Sequence, residues 1–211
     1  MPTQHPSDSV VLTTRTTTRL LDDLCHSDNA QAWEGFDARY RPILTAFARR
    51  LGFSGEDAAE LAQQTLVEFA SAYSQGRYQR GQGRLSSWLI GIASNVGSGL
   101  RRRAARGRMV NTGDELPDDA WGDERRLQDA WDRERERAII INALATLRET
   151  SRMQANTLLA FELFAIRGVP AEEVAVQCGI SVDAVYVIKN RLTGRLREIV
   201  QELTVVYDEG G

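Results

Sequence analysis

A chain of 211 residues is long enough for one large domain or two small ones, and its 42% apolar content supports a true core and excludes a disordered polymer. The net charge of −3 disfavours a nucleic-acid surface when averaged, but the charge is segregated. From Arg77 to Arg108 there are eight arginines and no acid, Asp114 to Glu136 is mostly acidic, and 189–197 is basic again. Cys25 and Cys178 lie far apart without metal-ligand spacing and are expected to be reduced thiols. No apolar run is long enough for a signal peptide or a membrane span, so a soluble, cytoplasmic protein with no membrane insertion is expected.

Taken in chain order, residues 1–17 are rich in Thr and Ser with two prolines and read as a tail, and 18–27 as a short helix. From Asn29 a helical period runs through Ala32, Trp33, Phe36, Tyr40, Ile43, Leu44, Phe47 and Leu51, and Gly52 ends it. "SGEDAAELAQQTLVEFASAY" is a second helix. Ser54 is its N-cap with Asp57 three residues on, and Glu56, Asp57 and Glu60 suit the positive end of the helix dipole. "SQGRYQRGQG" is a loop by its glycines.

The next helix poses a question. Leu85, Trp88, Leu89, Ile92, Ala93, Val96 and Leu100 form one apolar face, which makes Trp88 a core residue. The opposite face carries Ser86, Ser87, Gly91, Ser94, Asn95, Ser98 and Gly99 where Glu and Lys would be usual, against helix propensity. It runs into Arg101, Arg102 and Arg103. Residues 107–135 then lose the period and read as an acidic linker. Helices resume near Asp129, with no credible β-run anywhere, so the expected fold is all-α with two small helical domains.

"PAEEVAVQCGISVDAVYVIKNRL" has the form of a helix-turn-helix. Pro170 opens its first helix, and Val174 and the small Ala175 face inward. Gly179 supplies the turn, Ile180 plugs the core and Ser181 caps the second helix. Val185, Ile188, Leu192, Leu196 and Ile199 are its buried stripe. In this motif the second helix enters the major groove by its N-terminal half. Tyr186, Val187, Asn190 and Arg191 then face base edges, and Lys189, Arg195 and Arg197 meet phosphates. A helix pair inside a bundle would explain the stripe and the turn, but not the lack of acid on the exposed face after Asp183.

The two halves together are more specific than either alone. Asp57, Ala58, Ala59, Glu60, Leu61, Ala62, Gln63, Gln64, Thr65 and Leu66 parallel a D-A-E-D-L-x-Q-E-x-F pattern. Trp88, Leu89, Ile92, Ala93 and Asn95 parallel W-L-x-x-I-A-x-N, with a basic run after them. In this order, followed by a helix-turn-helix ending in "RLRE", the chain resembles the extracytoplasmic-function (ECF, group IV) sigma factors of bacterial RNA polymerase over roughly 28–200. The resemblance implies sigma region 2 over 28–106, the linker 107–135 and region 4 over 136–203, leaving a tail with a short helix over 1–27 and a tail over 204–211.

What it implies for function follows the same division. Region 2 would hold the melted −10 strand with Arg77, Arg80, Arg84, Asn95, Arg101, Arg102 and Arg103, the loop Ser74–Gly83 walling a base pocket. Asp57, Glu60, Gln63 and Gln64 would dock on the β′ clamp of core RNA polymerase, although without the resemblance they read first as an ordinary solvated acidic turn. Region 4 would read the −35 element of promoter DNA through Tyr186, Val187, Asn190 and Arg191, and the β flap and an anti-sigma factor are the other implied partners. Gly91, Ser98 and Gly99 replace bulkier polar residues common in the family, and "DAVYVIKNR" departs from its usual recognition helix. The linker acids Asp114, Glu115, Asp118, Asp119, Asp123 and Glu124 read either as a solvating tether, as a thread toward the RNA exit channel, or as a cover for the arginine surface.

Enzymatic function is not expected. His5 and His26 are the only histidines, no nucleophile–base or clustered-carboxylate arrangement is visible, and no Gly-rich phosphate loop opens a helix. No catalytic residue, cofactor or metal site is therefore assigned. The alternative is a stand-alone helix-turn-helix transcription regulator whose residues 28–105 form a dimerisation or sensor domain; a helical adaptor is third and leaves the acid-free arginine region unexplained.

Overall fold

A computed structural model describes residues 17–24, 30–78, 83–109, 123–150 and 155–207. The described residues are helical, with no strand among them, as expected for an all-α chain. The helices are α1 (Thr17–Leu24), α2 (Ala30–Arg50), α3 (Gly55–Ser74), α4 (Leu85–Met109), α5 (Glu124–Thr150), α6 (Ala155–Phe161), α7 (Ala171–Cys178) and α8 (Val182–Val206). A π-helical turn, Glu162–Ile166, continues α6. The chain forms two compact units: one of Met1–Ala138 with Val206–Gly211, and one of Ile139–Val205.

The first unit is built on α2, α3 and α4. Periodic apolar residues bury Phe36, Tyr40, Ile43, Leu44 and Phe47 of α2 against Leu61, Leu66 and Phe69 of α3, and α4 adds Leu85, Leu89, Ala93, Val96 and Leu100. Aromatic rings form a continuous chain through this core. Phe36 stacks on Phe69 with centroids 4.8 Å apart, Trp88 meets Tyr78 edge-on at 5.5 Å, and Tyr73 donates its hydroxyl to the Leu21 carbonyl. Gly52 ends α2 at φ +92°, and α3 begins with the expected cap: Asp57 N–H donates to Ser54 Oγ at 3.2 Å, and that hydroxyl donates to Asp57 Oδ2 at 2.7 Å.

Helix α1 is the short helix expected over 18–27, and its Leu20, Leu21 and Leu24 are buried in the first unit. Two boundaries differ from those expected. The span 107–135 is not one linker, because α4 runs to Met109 and α5 starts at Glu124. Leu127, Ala130, Trp131 and Glu134, spaced as one helical face, are all buried; the Trp131 ring lies edge-on to Phe47 at 5.9 Å and near-parallel to Tyr40 at 6.5 Å. Glu134, 3% exposed, takes Arg50 as its partner through Nε and Nη2, both at 2.5 Å.

The second difference is at the C-terminal end, where the expectation is a tail over 204–211. Helix α8 runs to Val206, and Tyr207 is 1% exposed in the first unit. The buried Arg39 places its guanidinium 5.1 Å from the Tyr207 ring centre and donates from Nη1 to the Val206 carbonyl (3.3 Å) and to Thr17 Oγ1 (3.4 Å). Thr17 Oγ1 also donates to that carbonyl at 3.1 Å and hydrogen-bonds the Tyr40 hydroxyl at 3.2 Å.

The second unit holds the helix-turn-helix. Its core is Ala160, Leu163, Ala171, Val174, Ala175, Cys178 and Val185, with Phe164, Val169, Ile180, Val182 and Ile188 packed around it. Pro170 is the residue just before α7, and Gly179 takes φ +64°, ψ 37°, which lets its N–H reach the Ala175 and Val176 carbonyls and turns the chain. Ser181 Oγ accepts the Ala184 N–H at 3.2 Å and caps α8. In the π turn, Arg167 N–H reaches the Glu162 carbonyl five residues back at 3.0 Å, and Leu163 is set into the core. Glu162 pairs with Arg148 at 2.8 Å.

Candidate nucleic-acid interface

The exposed side of α4 is as smooth as its sequence reads. Ser87, Gly91 and Asn95 are exposed, and Ser94, Ser98 and Gly99 are half-buried. A Cβ added at Gly91 or Gly99 would meet no atom of the described residues within 4 Å, so none of these requires glycine there. The surface is open to a flat ligand that approaches the backbone. Ser86 does not belong to it: it is 3% exposed, and Ile90 is buried beside it. Trp88 is half-buried rather than fully enclosed, held edge-on by Phe69 and Tyr78.

The arginines divide into three kinds. Arg77 and Arg84 are exposed at the two described ends of the loop before α4, while Arg80 and the middle of the loop Ser74–Gly83 lie outside the described residues. Arg102 is exposed. Arg101 is engaged within the fold: its Nη2 donates to the Leu51 carbonyl at 2.8 Å and its guanidinium stands 5.2 Å from the Phe53 ring centre. Arg103 Nη1 pairs with Glu60 Oε1 at 3.2 Å, with both side chains largely in solvent.

That pair joins the α4 arginines to the acidic residues of α3. Gln64 Nε2 donates to the same Glu60 oxygen at 2.7 Å, Asp57 is held by its cap, and Gln63 is exposed. Gln63 also borders a groove of about 450 Å³ between α2 and α3, floored by Trp33, Phe36 and Leu66 and rimmed by Val67, which is 62% exposed. Sequence reading did not single out Val67; its signal is an apolar residue one turn beyond Gln63 on a face otherwise polar. Across the groove, Asp37 and Arg41 pair at 2.5 Å, and the hydrogen bond raises the Arg41 pKa above its ordinary value.

In the second unit, α8 presents Asp183, Tyr186, Val187, Asn190 and Arg191 on one exposed side. Tyr186 and Val187 are 48% and 65% exposed, and the Tyr186 ring is fixed edge-on to Phe164 at 5.3 Å. Lys189 is half-buried and Arg197 exposed. Arg195 pairs with Glu198 at 2.8 Å, and that hydrogen bond raises its pKa. The linker acids Asp114, Glu115, Asp118 and Asp119, Cys25, His5 and His26 lie outside the described residues; Cys178 is buried in the helix-turn-helix core. Among the described residues no group of three or more His, Cys, Asp or Glu could hold a metal, and no helix is long and apolar enough to cross a membrane.

These features define a helical protein with a helix-turn-helix in one unit and, in the other, a small-residue helix face that ends in arginines. Residues 36–107, all in the first unit, match the family model of Sigma-70 region 2, which supports a sigma factor role in transcription initiation. No curated protein matches the chain.

Proposed function

We propose that this chain is an ECF-type (group IV) sigma factor, which binds core RNA polymerase in the bacterial cytoplasm and directs it to promoters. The observation that carries the reading is the coincidence of the region 2 match with the bare face of α4, in a chain that also holds a capped, glycine-turned helix-turn-helix. A base unstacked from duplex DNA needs a pocket free of long side chains and a positive surface for its backbone. Gly91, Asn95 and Gly99 provide the first and Arg84 and Arg102 the second, with Asn95 as the base-contacting amide. Asp57, Glu60, Gln63 and Gln64 face the β′ clamp, and the exposed side of α8 reads the −35 element beside the β flap. An anti-sigma factor acts on this chain as on its family.

Run-off transcription tests the proposal. Purified chain added to core polymerase should yield discrete transcripts from a subset of promoters whose start sites share −10 and −35 sequences. A chain that binds operator-like DNA specifically but never associates with core polymerase is a stand-alone regulator instead.

A further inference from the structure

The start of α5 forms a second basic site that the proposed function does not use. Where the end of α2 meets the first turns of α5, a concavity of about 370 Å³ is floored by Leu51 and Ala130. Arg50, Arg125, Arg126 and Arg133 line it, together with Asp123 and Asp129. Arg50 is neutralised from beneath by the buried Glu134. Asp123 is spent on the helix N-terminus, where its Oδ1 accepts the N–H groups of Arg125 at 3.0 Å and Arg126 at 3.3 Å. That leaves the exposed guanidiniums of Arg125, Arg126 and Arg133, none with an ion-pair partner among the described residues, against two carboxylates, Asp129 and the helix-capping Asp123, a net positive lining.

Spacing narrows the ligand. Arg126 and Arg133 are seven residues apart on one face, a rise of about 10.5 Å. Guanidiniums spread along that length, with Arg125 and Arg50 beside them, present more N–H donors than one phosphate can accept and match a short chain of linked phosphates. Guanidiniums grip phosphoryl oxygens in pairs, and the fixed Arg50 still has N–H groups beyond those given to Glu134. We propose that this concavity binds a chain of linked phosphoryl groups, either a free oligophosphate or the phosphodiester backbone of a nucleic acid. The site adjoins the C-terminal part of α4, whose Arg101 reaches the Leu51 carbonyl, but its argument does not rest on the transcription role.

The test uses the full chain and the double variant R126Q/R133Q, both exposed positions whose change leaves the core intact. Inorganic tripolyphosphate is titrated calorimetrically at low salt. A nonspecific DNA duplex is bound in parallel over a salt series. Loss of tripolyphosphate affinity by tenfold or more in the variant, with an unchanged salt slope for duplex, assigns the site to free oligophosphates. A duplex salt slope reduced by about two assigns it to nucleic-acid backbone, since each neutralised phosphate contributes about 0.9. If the variant binds both probes as the parent does, or the parent binds neither, the proposal is overturned.

Discussion

Replacing Tyr207 by alanine should destabilise the first unit, although the residue follows the last helix of the second in sequence. The ring is 1% exposed and sits under the Arg39 guanidinium, 5.1 Å from its carbon. Truncating a buried aromatic residue costs about 3–5 kcal/mol, since the transfer energy is lost and a cavity remains. The cation–π contact, about 1 kcal/mol when partly desolvated, is lost with it, so about 4–6 kcal/mol in all is expected. With a urea slope of about 2 kcal/mol/M the midpoint falls by about 2–3 M. Fluorescence gives a clean assay, because the described tryptophans, Trp33, Trp88 and Trp131, belong to the first unit and the sequence has none over 139–205. Coincident tryptophan-detected unfolding curves for Tyr207→Ala and the parent would refute the reasoning.

Three other outcomes are expected. Gly91→Leu should stabilise α4 by about 0.8 kcal/mol through helix propensity, because the space in front of it is empty, yet abolish promoter melting; permanganate reactivity of −10 thymines and thermal unfolding read the two opposed effects, and normal melting by this variant removes α4 as the strand-binding face. Arg191→Ala should cost about 1–3 kcal/mol and relax preference at one −35 position, whereas Arg197→Ala should weaken every sequence alike and lower the salt slope by about one; binding to a −35 library at several salt concentrations separates them, and exchanged behaviours would invert the roles. Glu60→Lys, which turns the Arg103 pair into a repulsion without touching the Ser54 cap, should weaken core polymerase pull-down while DNA binding by the helix-turn-helix persists; undiminished pull-down removes this face as the docking site.

Local signals were readable where the cause is local. Ser54 with Asp57, Gly179 with its positive φ, and Ser181 each act within a few residues, and each is where the sequence places it. The apolar stripe of α4 was legible because period and burial coincide, Ser86 and Ile90 being the exceptions set by neighbouring helices. The start of α5 was misread because its charge hid its period. Leu127, Ala130 and Trp131 are spaced as a buried face, but the fourth member is Glu134, whose burial depends on Arg50, 84 residues away. Arg39, Thr17 and Tyr207 give no sequence signal at all, since each is explained only by partners far along the chain. The same holds for the engaged Arg101, indistinguishable in sequence from the exposed Arg102.

The return of Val206 and Tyr207 to the first unit makes residues 139–205 an insertion in it, and this orders events during synthesis. When residue 138 leaves the ribosome, the Arg39 guanidinium and the hydroxyls of Thr17 and Tyr40 still lack the carbonyl and ring that complete their site. Roughly 70 more residues must be added, which takes about 4–14 s at 5–20 residues per second. All of the helix-turn-helix unit is made within that interval. The usual N-terminal-first order is therefore reversed for the last step: the second unit is complete before the first can close. Chains stalled with residue 205 as the last one outside the exit tunnel should show a protease-resistant second unit and a first unit that hardens only once Tyr207 has emerged.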